Sequence, residues 1–537
     1  MTKKTDQILL DKLAYAAKMG GISRRSFMHY SMAAGMTASA ATCLWTSSAH
    51  AQEPRRGGTF KVGMHDGNTS DTHDPGTYSS RQQIYLAHQY RSYLTLIEPD
   101  GTLGPDLATN WAANSDASVW TFELNRNASF HSGSKVTSKD VIASLNHHRG
   151  DDSTSAAKAL LASVTDMQAD GDNTVVVTLD SGNADLPWLM TDYHLPICPA
   201  NEDGTMNWQS GDGSGPYKID AGEWGVSWRL SRHEGWHLEG AYFDKVEMLV
   251  LNDPNARQAA LVTGDVDAVT SIDLKTSALM ERDPNIAIDN VPSGAAITMP
   301  MHCNTAPFDD VNVRNALKLS IDRNEIIEKI AFGAASIGND FHHSPAQPYW
   351  PDDVEQREYD PDRAKALLKK AGMEGLTVNI STADSLFSGA VDMCVLYAAQ
   401  AKAAGITINV VREPNDGYYN DVWLQKPFCA VSWGARPTPD VMYTLAYKDD
   451  AAWNESFWQN ERFNELLLQA KGELDDGLRA EMYREMAVIA RDDGGTIIPM
   501  FNNFVYARRS NVMHGPNLAA SWELDGARGP SRWWFSG

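Results

Sequence analysis

The chain has 537 residues and a formal net charge of −23, length enough for more than one domain around a large buried core. The first 51 residues hold six Lys/Arg and two Asp/Glu, so the acid excess lies entirely in the rest. Such an acidic surface keeps a protein soluble and argues against nucleic acid and anionic membranes as partners, and no apolar run reaches the ~18 residues that span a bilayer.

The N-terminus reads as a targeting signal. Ser23-Arg24-Arg25-Ser26-Phe27-Met28 carries twin arginines, followed by a weakly apolar stretch to Trp45 rich in Ala, Ser and Thr. Ala49-His50-Ala51 then offers a small-x-small cleavage site. These features predict a twin-arginine signal peptide over residues 1–51 and a mature, exported chain from Gln52. Cys43 lacks the Leu expected three residues before a lipidated Cys, so no lipid anchor is expected. Four cysteines remain after cleavage, Cys198, Cys303, Cys394 and Cys429, none in a C-x-x-C. Export permits disulfides, and buried thiols fit equally well. Cys303 and Cys429 would bridge if their strands neighbour.

Gly58 to Gly63 reads as the first strand, Asp71 to Ser80 as a loop, and Ile84 to Leu96 as a helical run. Val119-Trp120-Thr121-Phe122-Glu123-Leu124 alternates large apolar and polar side chains, the period of a half-buried strand. Asn125-Arg126-Asn127 and His131-Ser132-Gly133 turn the chain. Thr137-Ser138-Lys139-Asp140 has the form of a helix N-cap with an acid three residues on, and Val141, Leu145 and His148 then share one face. Thr174 to Leu179 is a strand, and so is the run from Val246. A short helix from Asn255 ends at Gly264, as a left-handed cap requires. Val313, Ala316-Leu317 and Ser320-Ile321 form the buried face of another helix. Asp360-Pro361 starts a further one, with Ala364, Leu367-Leu368 and Ala371 inward and Gly372 at its end. Val378–Ile380, the helix Ala390 to Ala404, and Ile406 to Val410 make a strand–helix–strand unit. A strand at Cys429 to Trp433 follows, then amphipathic helices near Arg462–Lys471 and Leu478–Arg491, and a strand at Thr496 to Phe501.

Several of these stretches together resemble the family 5 extracellular solute-binding proteins, the peptide and nickel binders of ABC importers. Leu103, Pro105, Leu107-Ala108 and Trp111 match its "L-x-P-x-L-A-x-x-W". Trp120-Thr121-Phe122 and Leu124 match "W-T-F-x-L-R", with Asn125 in place of the Arg. Phe130-His131, Gly133, Val136-Thr137 and Asp140-Val141 match "F-H-x-G-x-x-V-T-x-x-D-V". Gly213-Ser214-Gly215-Pro216-Tyr217 stands where the family has "G-T-G-P-Y". Further matches are Asn304, Pro307-Phe308-Asp309-Asp310, Val313-Arg314 and Ile321-Asp322-Arg323. The resemblance covers nearly all of the mature chain. It implies an α/β, two-lobed periplasmic binding protein of the type II, large peptide-binder form, with discontinuous domains and a hinge. Residues 52–95, 213–303 and 497–537 would form lobe 1, residues 96–212 a second domain, and residues 304–496 lobe 2. It implies a peptide or small-molecule ligand, an inner-membrane ABC permease as partner, a monomer, no cofactor and no covalent chemistry.

One motif competes. His233-Glu234-Gly235-Trp236-His237 fits H-E-x-x-H, the pattern of a secreted zinc-dependent hydrolase. That chemistry needs a helix, where positions i and i+4 share a face. Here a strand-like alternation precedes it, and Gly235 and Gly240 disfavour a helix. A solvated loop is therefore expected. His147-His148 and His342-His343 are adjacent pairs that point apart, not ready-made metal sites.

The ligand loop is expected at Ser432-Trp433-Gly434-Ala435-Arg436-Pro437-Thr438-Pro439-Asp440, just after a strand, where α/β lobes present their ligands. In the family's peptide binders this loop carries an Asp for the peptide amino group; the corresponding position here is Ala435. The family's dipeptide binders hold the ligand carboxylate with an Arg in an earlier loop, where this chain has Asp384. Both departures point away from ordinary peptides. Trp433 would supply an aromatic wall and Arg436 a planar fork for an acid group. Asp384 would meet a cationic or hydroxyl-rich end. Asp440 either shares the site or braces Arg436. The ligand is accordingly expected to be anionic or zwitterionic.

Overall fold

The computed structural model describes residues 54–384, 386–414 and 418–536. Arg24, Arg25 and Ala49-His50-Ala51 lie outside the described residues. The fold is α/β and two-lobed. Two long antiparallel strands, Ile286–Pro300 and Thr496–Arg509, pair from Ile286 opposite Arg509 to Pro300 opposite Thr496. At one end Val291, Tyr506 and Ala507 enter the apolar cores of the first lobe. At the other, Ile297, Met299, Ile497 and Met500 enter the core of the second. One nine-stranded sheet therefore runs through both lobes.

In the first lobe, Thr59–Met64 pairs in parallel with Lys245–Val250 and Ala268–Val269. Its alternation buries Phe60, Val62 and Met64. A separate four-stranded antiparallel sheet (Ala108–Ala113, Val119–Leu124, Thr174–Leu179, Val164–Ala169) has its own core. Trp120, Phe122 and Leu124 point inward there. The helix Ser138–Asn146 covers it, starting where the Asp140 carboxylate accepts bonds from the Thr137 N–H and hydroxyl at 2.7 and 2.8 Å. In the second lobe, Thr377–Thr382 and Thr407–Arg412 are parallel neighbours joined through the helix Ala390–Ala401. The helix Pro361–Ala371 is capped by Asp360 and ended by left-handed Gly372.

Three features depart from the sequence reading or are absent from it. The first helix is Arg81–Tyr90 and stops short of Leu96, because Arg91 turns out to reach the Tyr78 hydroxyl and Ser92 bridges Ile197. The long strand Ile286–Pro300 carries no regular alternation. Pro292, which has no N–H to give the ladder, falls at a bulge where the register skips from Val291 to Ala295. Third, Cys303 and Cys429 form no disulfide; all four described cysteines are free thiols. Their segments do neighbour, but Met301 bridges Phe428 and Thr298 pairs with Val431. That register sets Cys429 against Pro300 and leaves Cys303 three positions further on. By Cys303 the chain has left the strand for a turn, where the Cys303 N–H bonds the Ser456 carbonyl at 2.7 Å.

Candidate ligand-binding site

A cavity of about 110 Å³ lies between the lobes. The first lobe and its small domain contribute His88, Trp188, Asp192, Tyr193, Trp522 and Arg528. The second lobe contributes Gln347 and the stretch Ala435–Pro437. Trp188 and Trp522 give apolar walls, and Arg81 stacks on the outer ring at 4.6 Å from the Trp522 centroid. The His88 Nδ1–H donates to the Ile84 carbonyl at 2.8 Å, and burial pushes its pKa down to about 3. The ring is therefore neutral, with a lone pair on Nε2.

Arg436 and Arg528 bring positive charge from opposite lobes. The Arg436 guanidinium donates to its own loop, to the Gly434 and Ala435 carbonyls at 3.1 and 3.0 Å. Gln347 holds the Arg436 carbonyl at 2.9 Å. Among the described residues no carboxylate comes within ion-pair distance of Arg436. Burial lowers its pKa, opposed by Asp192 and Tyr193. Burial likewise lowers that of Arg528, opposed by Asp106.

A larger cavity, about 440 Å³, is lined by Arg257, Lys275, Lys329 and Asp392. Its arginine is already spent, since Arg257 donates to the Leu251, Thr270 and Ser271 carbonyls. Lys329 is held by Glu325. The smaller cavity is the one where two guanidinium groups converge from opposite lobes.

Of the four residues expected from sequence, only Arg436 lines that cavity. Trp433 is buried behind it, and its indole N–H donates to the Glu455 carboxylate at 2.9 Å. Glu455 is itself buried, accepting also from the Trp423 indole and the Thr298 hydroxyl, each at 2.9 Å. Trp433 thus fixes the start of the loop to the long strand and offers no free N–H. Asp384 stands at the surface, ion-paired with Arg412 at 2.5 Å, and does not reach the cavity. Asp440 is buried and faces Asp185 from the small domain, not Arg436. Asp185 crosses the interface to bond the Arg479 guanidinium at 2.6 Å and the Thr438 hydroxyl.

Burial pushes the Asp440 pKa up to about 7, with Asp185 adding to the rise and Lys471 and Arg479 opposing it. A carboxyl raised in the folded state contributes stability that is full below the ordinary carboxylate range and is lost as pH rises through about 7. Tyr483 also faces this cluster. Asp440→Asn is therefore expected to flatten the fall in melting temperature between about pH 5 and pH 8, gaining on the native chain at the alkaline end. Parallel melting curves for the two proteins across that range would refute this.

The H-E-x-x-H stretch is not a zinc site. It forms a turn in which the Trp236 N–H bonds the His233 carbonyl at 3.1 Å. His233 Nδ1 donates to the Gly215 carbonyl, His237 Nε2 meets Asp106 at 2.9 Å, and Glu234 faces outward to Arg232 and Arg56. The three side chains diverge, so they share no common metal position. The adjacent histidines also part. His147 pairs with Asp74 and His148 with Ser155, while His342 packs on Trp433 and His343 bonds the Pro348 carbonyl.

Arg528, Trp522, His88 and Trp188 carry no signal of their role in the sequence. Arg528 follows an irregular turn, Leu524 to Ala527, with φ of 53°, 61°, 67° and 62°. Such a run has no helical or strand period, and left-handed backbone costs roughly 1–2 kcal/mol for each non-glycine residue. His88 is one of four buried polar side chains on its helix, with Gln82, Gln83 and Gln89, and its spacing does not single it out.

Comparison with known proteins agrees with this architecture. The profile of the bacterial extracellular solute-binding proteins, family 5 Middle, matches residues 102–455. A probable peptide ABC transporter periplasmic-binding protein of Sinorhizobium fredii is 26% identical over 73% of this chain and 74% of its own length. The nickel-binding periplasmic protein of Escherichia coli is 25% identical over 56% of this chain and 58% of its own. In structure, the periplasmic binding protein DppA of Helicobacter pylori, in complex with the peptide STSA, superposes with a TM-score of 0.70 at 20% identity, covering 90% of this chain and 99% of that one. With the fold, the interlobe cavity and a profile match over most of the chain in agreement, this protein belongs to the family 5 bacterial extracellular solute-binding proteins.

Proposed function

We propose that the protein is the substrate-binding component of an ABC importer, and that it holds an anionic or zwitterionic solute between its lobes with an acid group on Arg436. The observation that carries this reading is Arg436 itself, a guanidinium lining the interlobe cavity with no carboxylate in reach among the described residues. A planar fork of N–H donors matches a carboxylate or phosphate. Relatives named for peptides and for nickel support the class and leave the solute open. Binding and release suffice for the task, without covalent chemistry, and an inner-membrane permease would read the closed form of a monomer. Of the three domains expected from sequence, residues 96–212 would remain the small one, while the crossings between lobes expected at 303/304 and 496/497 would move to the bulge near Pro292 and its partner strand, because Ile297, Met299, Ile497 and Met500 pack in the core of the second lobe. A thermal-shift screen over peptides, opines, sugar acids and metal chelates, followed by titration, tests the reading. A bound solute whose affinity survives esterification of its acid group would overturn it.

The cell compartment follows from the same proposal. The twin arginines and the Ala49-His50-Ala51 site support export to the periplasm by the twin-arginine route. Changing Arg24 and Arg25 together to Lys is expected to leave uncleaved precursor in the cytoplasm, read on an immunoblot of fractionated cells. Normal export of that variant would remove the route.

A further inference from the structure

We infer that Arg528 is a second anion anchor, so that the solute of this cavity carries two acid groups, one on each lobe. The inference rests on the reading that Arg436 takes the first. Arg528 is 5% exposed and lines the same cavity. Its nearest carboxylate oxygen, on Asp106, is 3.6 Å away, too far for a hydrogen bond. Asp106 is already committed to shorter bonds, from His237 at 2.9 Å and from the Tyr93 N–H at 3.0 Å. Among the described residues nothing accepts a hydrogen bond from the Arg528 guanidinium. One face of the fork lies toward the Tyr93 ring, 5.5 Å from its centroid, so its donors remain for an occupant of the cavity. The donors open into the cavity, where a ligand's acceptors can replace water.

The backbone that delivers Arg528 is held in place against its own preference. The left-handed turn Leu524–Ala527 is pinned by Tyr85, whose hydroxyl donates to the Glu523 carbonyl at 2.8 Å. Gln89 donates to the Ala527 carbonyl at 2.7 Å. Strained turns persist where the surroundings over-determine them, and they collect at ligand sites. The cavity's own acid, Asp192, accepts from His194 at 2.7 Å and is the sole carboxylate in the lining among the described residues. Arg436 has no ion pair among the described residues, and Arg528 has only the 3.6 Å approach of an Asp106 already bonded by His237, so a solute with two acid groups would find donors on both lobes. Because the arginines come from opposite lobes, such a solute would draw the lobes together.

The test uses matched acids and monoamides on the full mature chain: Ala-Glu against Ala-Gln, glutarate against glutaramate, and longer pairs of the same design. Thermal shift finds the binding pair and calorimetry measures it. We expect the diacid to bind tighter than its monoamide by on the order of 30-fold. Arg528→Gln should erase that preference, costing the diacid far more affinity than the monoamide, and Arg528→Lys should keep part of it. Equal affinity for diacid and monoamide in the native chain, with both lost in Arg436→Gln, would overturn the role of Arg528 and leave that of Arg436 standing. No binding by any acid in the panel would overturn both. A native preference that survives in Arg528→Gln would place the second anchor elsewhere and also sink the inference. The native comparison needs no variant, so poor folding of either substitution does not shelter it.

Discussion

Asp340→Ala is expected to destabilise the second lobe by about 3–5 kcal/mol, the usual cost of removing one partner from a buried ion cluster. Asp340 is fully buried. Arg323 approaches it at 2.6 Å and Arg357 at 2.9 Å, and the Ile498 N–H donates to it at 3.0 Å. Burial alone would raise its pKa, but Arg323, Arg357 and Lys318 outweigh that and hold the carboxyl below its ordinary range. Truncation would leave the buried Arg323 without a counter-ion, take one of the two carboxylates that pair with Arg357, and leave the Ile498 N–H unpaired. Lys318 shows how far from water the surroundings are: burial pushes its pKa down to about 7, and it leans on the Arg491 and Gly494 carbonyls at 2.9 and 2.7 Å. Denaturant unfolding followed by tryptophan fluorescence would measure the loss. A native-like midpoint would show that the arginines find other partners. The pH sign follows. A depressed carboxyl contributes stability above the ordinary carboxylate range and loses it as pH falls, so the native chain should be more acid-sensitive than the variant.

This cluster also shows what could be read in the sequence. Ile321-Asp322-Arg323 is legible as a family match, and the structure gives its Arg a core ion pair with Asp340, 17 residues later, across a stretch of no regular period. Local signals are legible throughout: the alternation of Val119–Leu124, the Asp360 cap and Gly372 stop, the left-handed Gly264. They depend on neighbours in sequence. The long strand Ile286–Pro300 is not legible, because its Pro and Gly make a bulge that only the partner strand can explain. The site divides in the same way. Arg436 stands in a loop after a strand, a place that sequence can mark. Trp433 stands in the same loop, yet its N–H is spent on Glu455, a pairing between loops that no spacing reveals. Asp384 holds the family's position by spacing alone, and Arg412 on the adjacent strand neutralises it. Arg528 comes from the far C-terminal segment, beyond the residues that the family profile matches.

Arg436→Ala is expected to cost about 2–5 kcal/mol of ligand affinity, the range for truncating one side of a buried charge pair. The melting temperature of the unliganded protein should barely move. Within the protein the change removes two hydrogen bonds to the side chain's own loop, at Gly434 and Ala435, and exchange of such bonds with water is nearly balanced. The rival role, a brace against Asp440, has no partner, since Asp440 faces Asp185 across the lobe interface. What remains of it is a clamp on the loop carbonyls. A clamp makes the opposite prediction: the melting temperature falls, because the loop from Trp433 to Thr438 loses its shape, while affinity shifts little. Calorimetric titration with the solute found in the screen, beside a melting curve of the empty variant, separates the two. Arg436→Lys refines the result. A lysine keeps the charge and loses the fork, so a carboxylate held by two parallel N–H bonds should bind the Lys variant well below native strength yet above the Ala variant. Equal affinity of the native, Lys and Ala proteins would mean that the solute's acid group lies elsewhere.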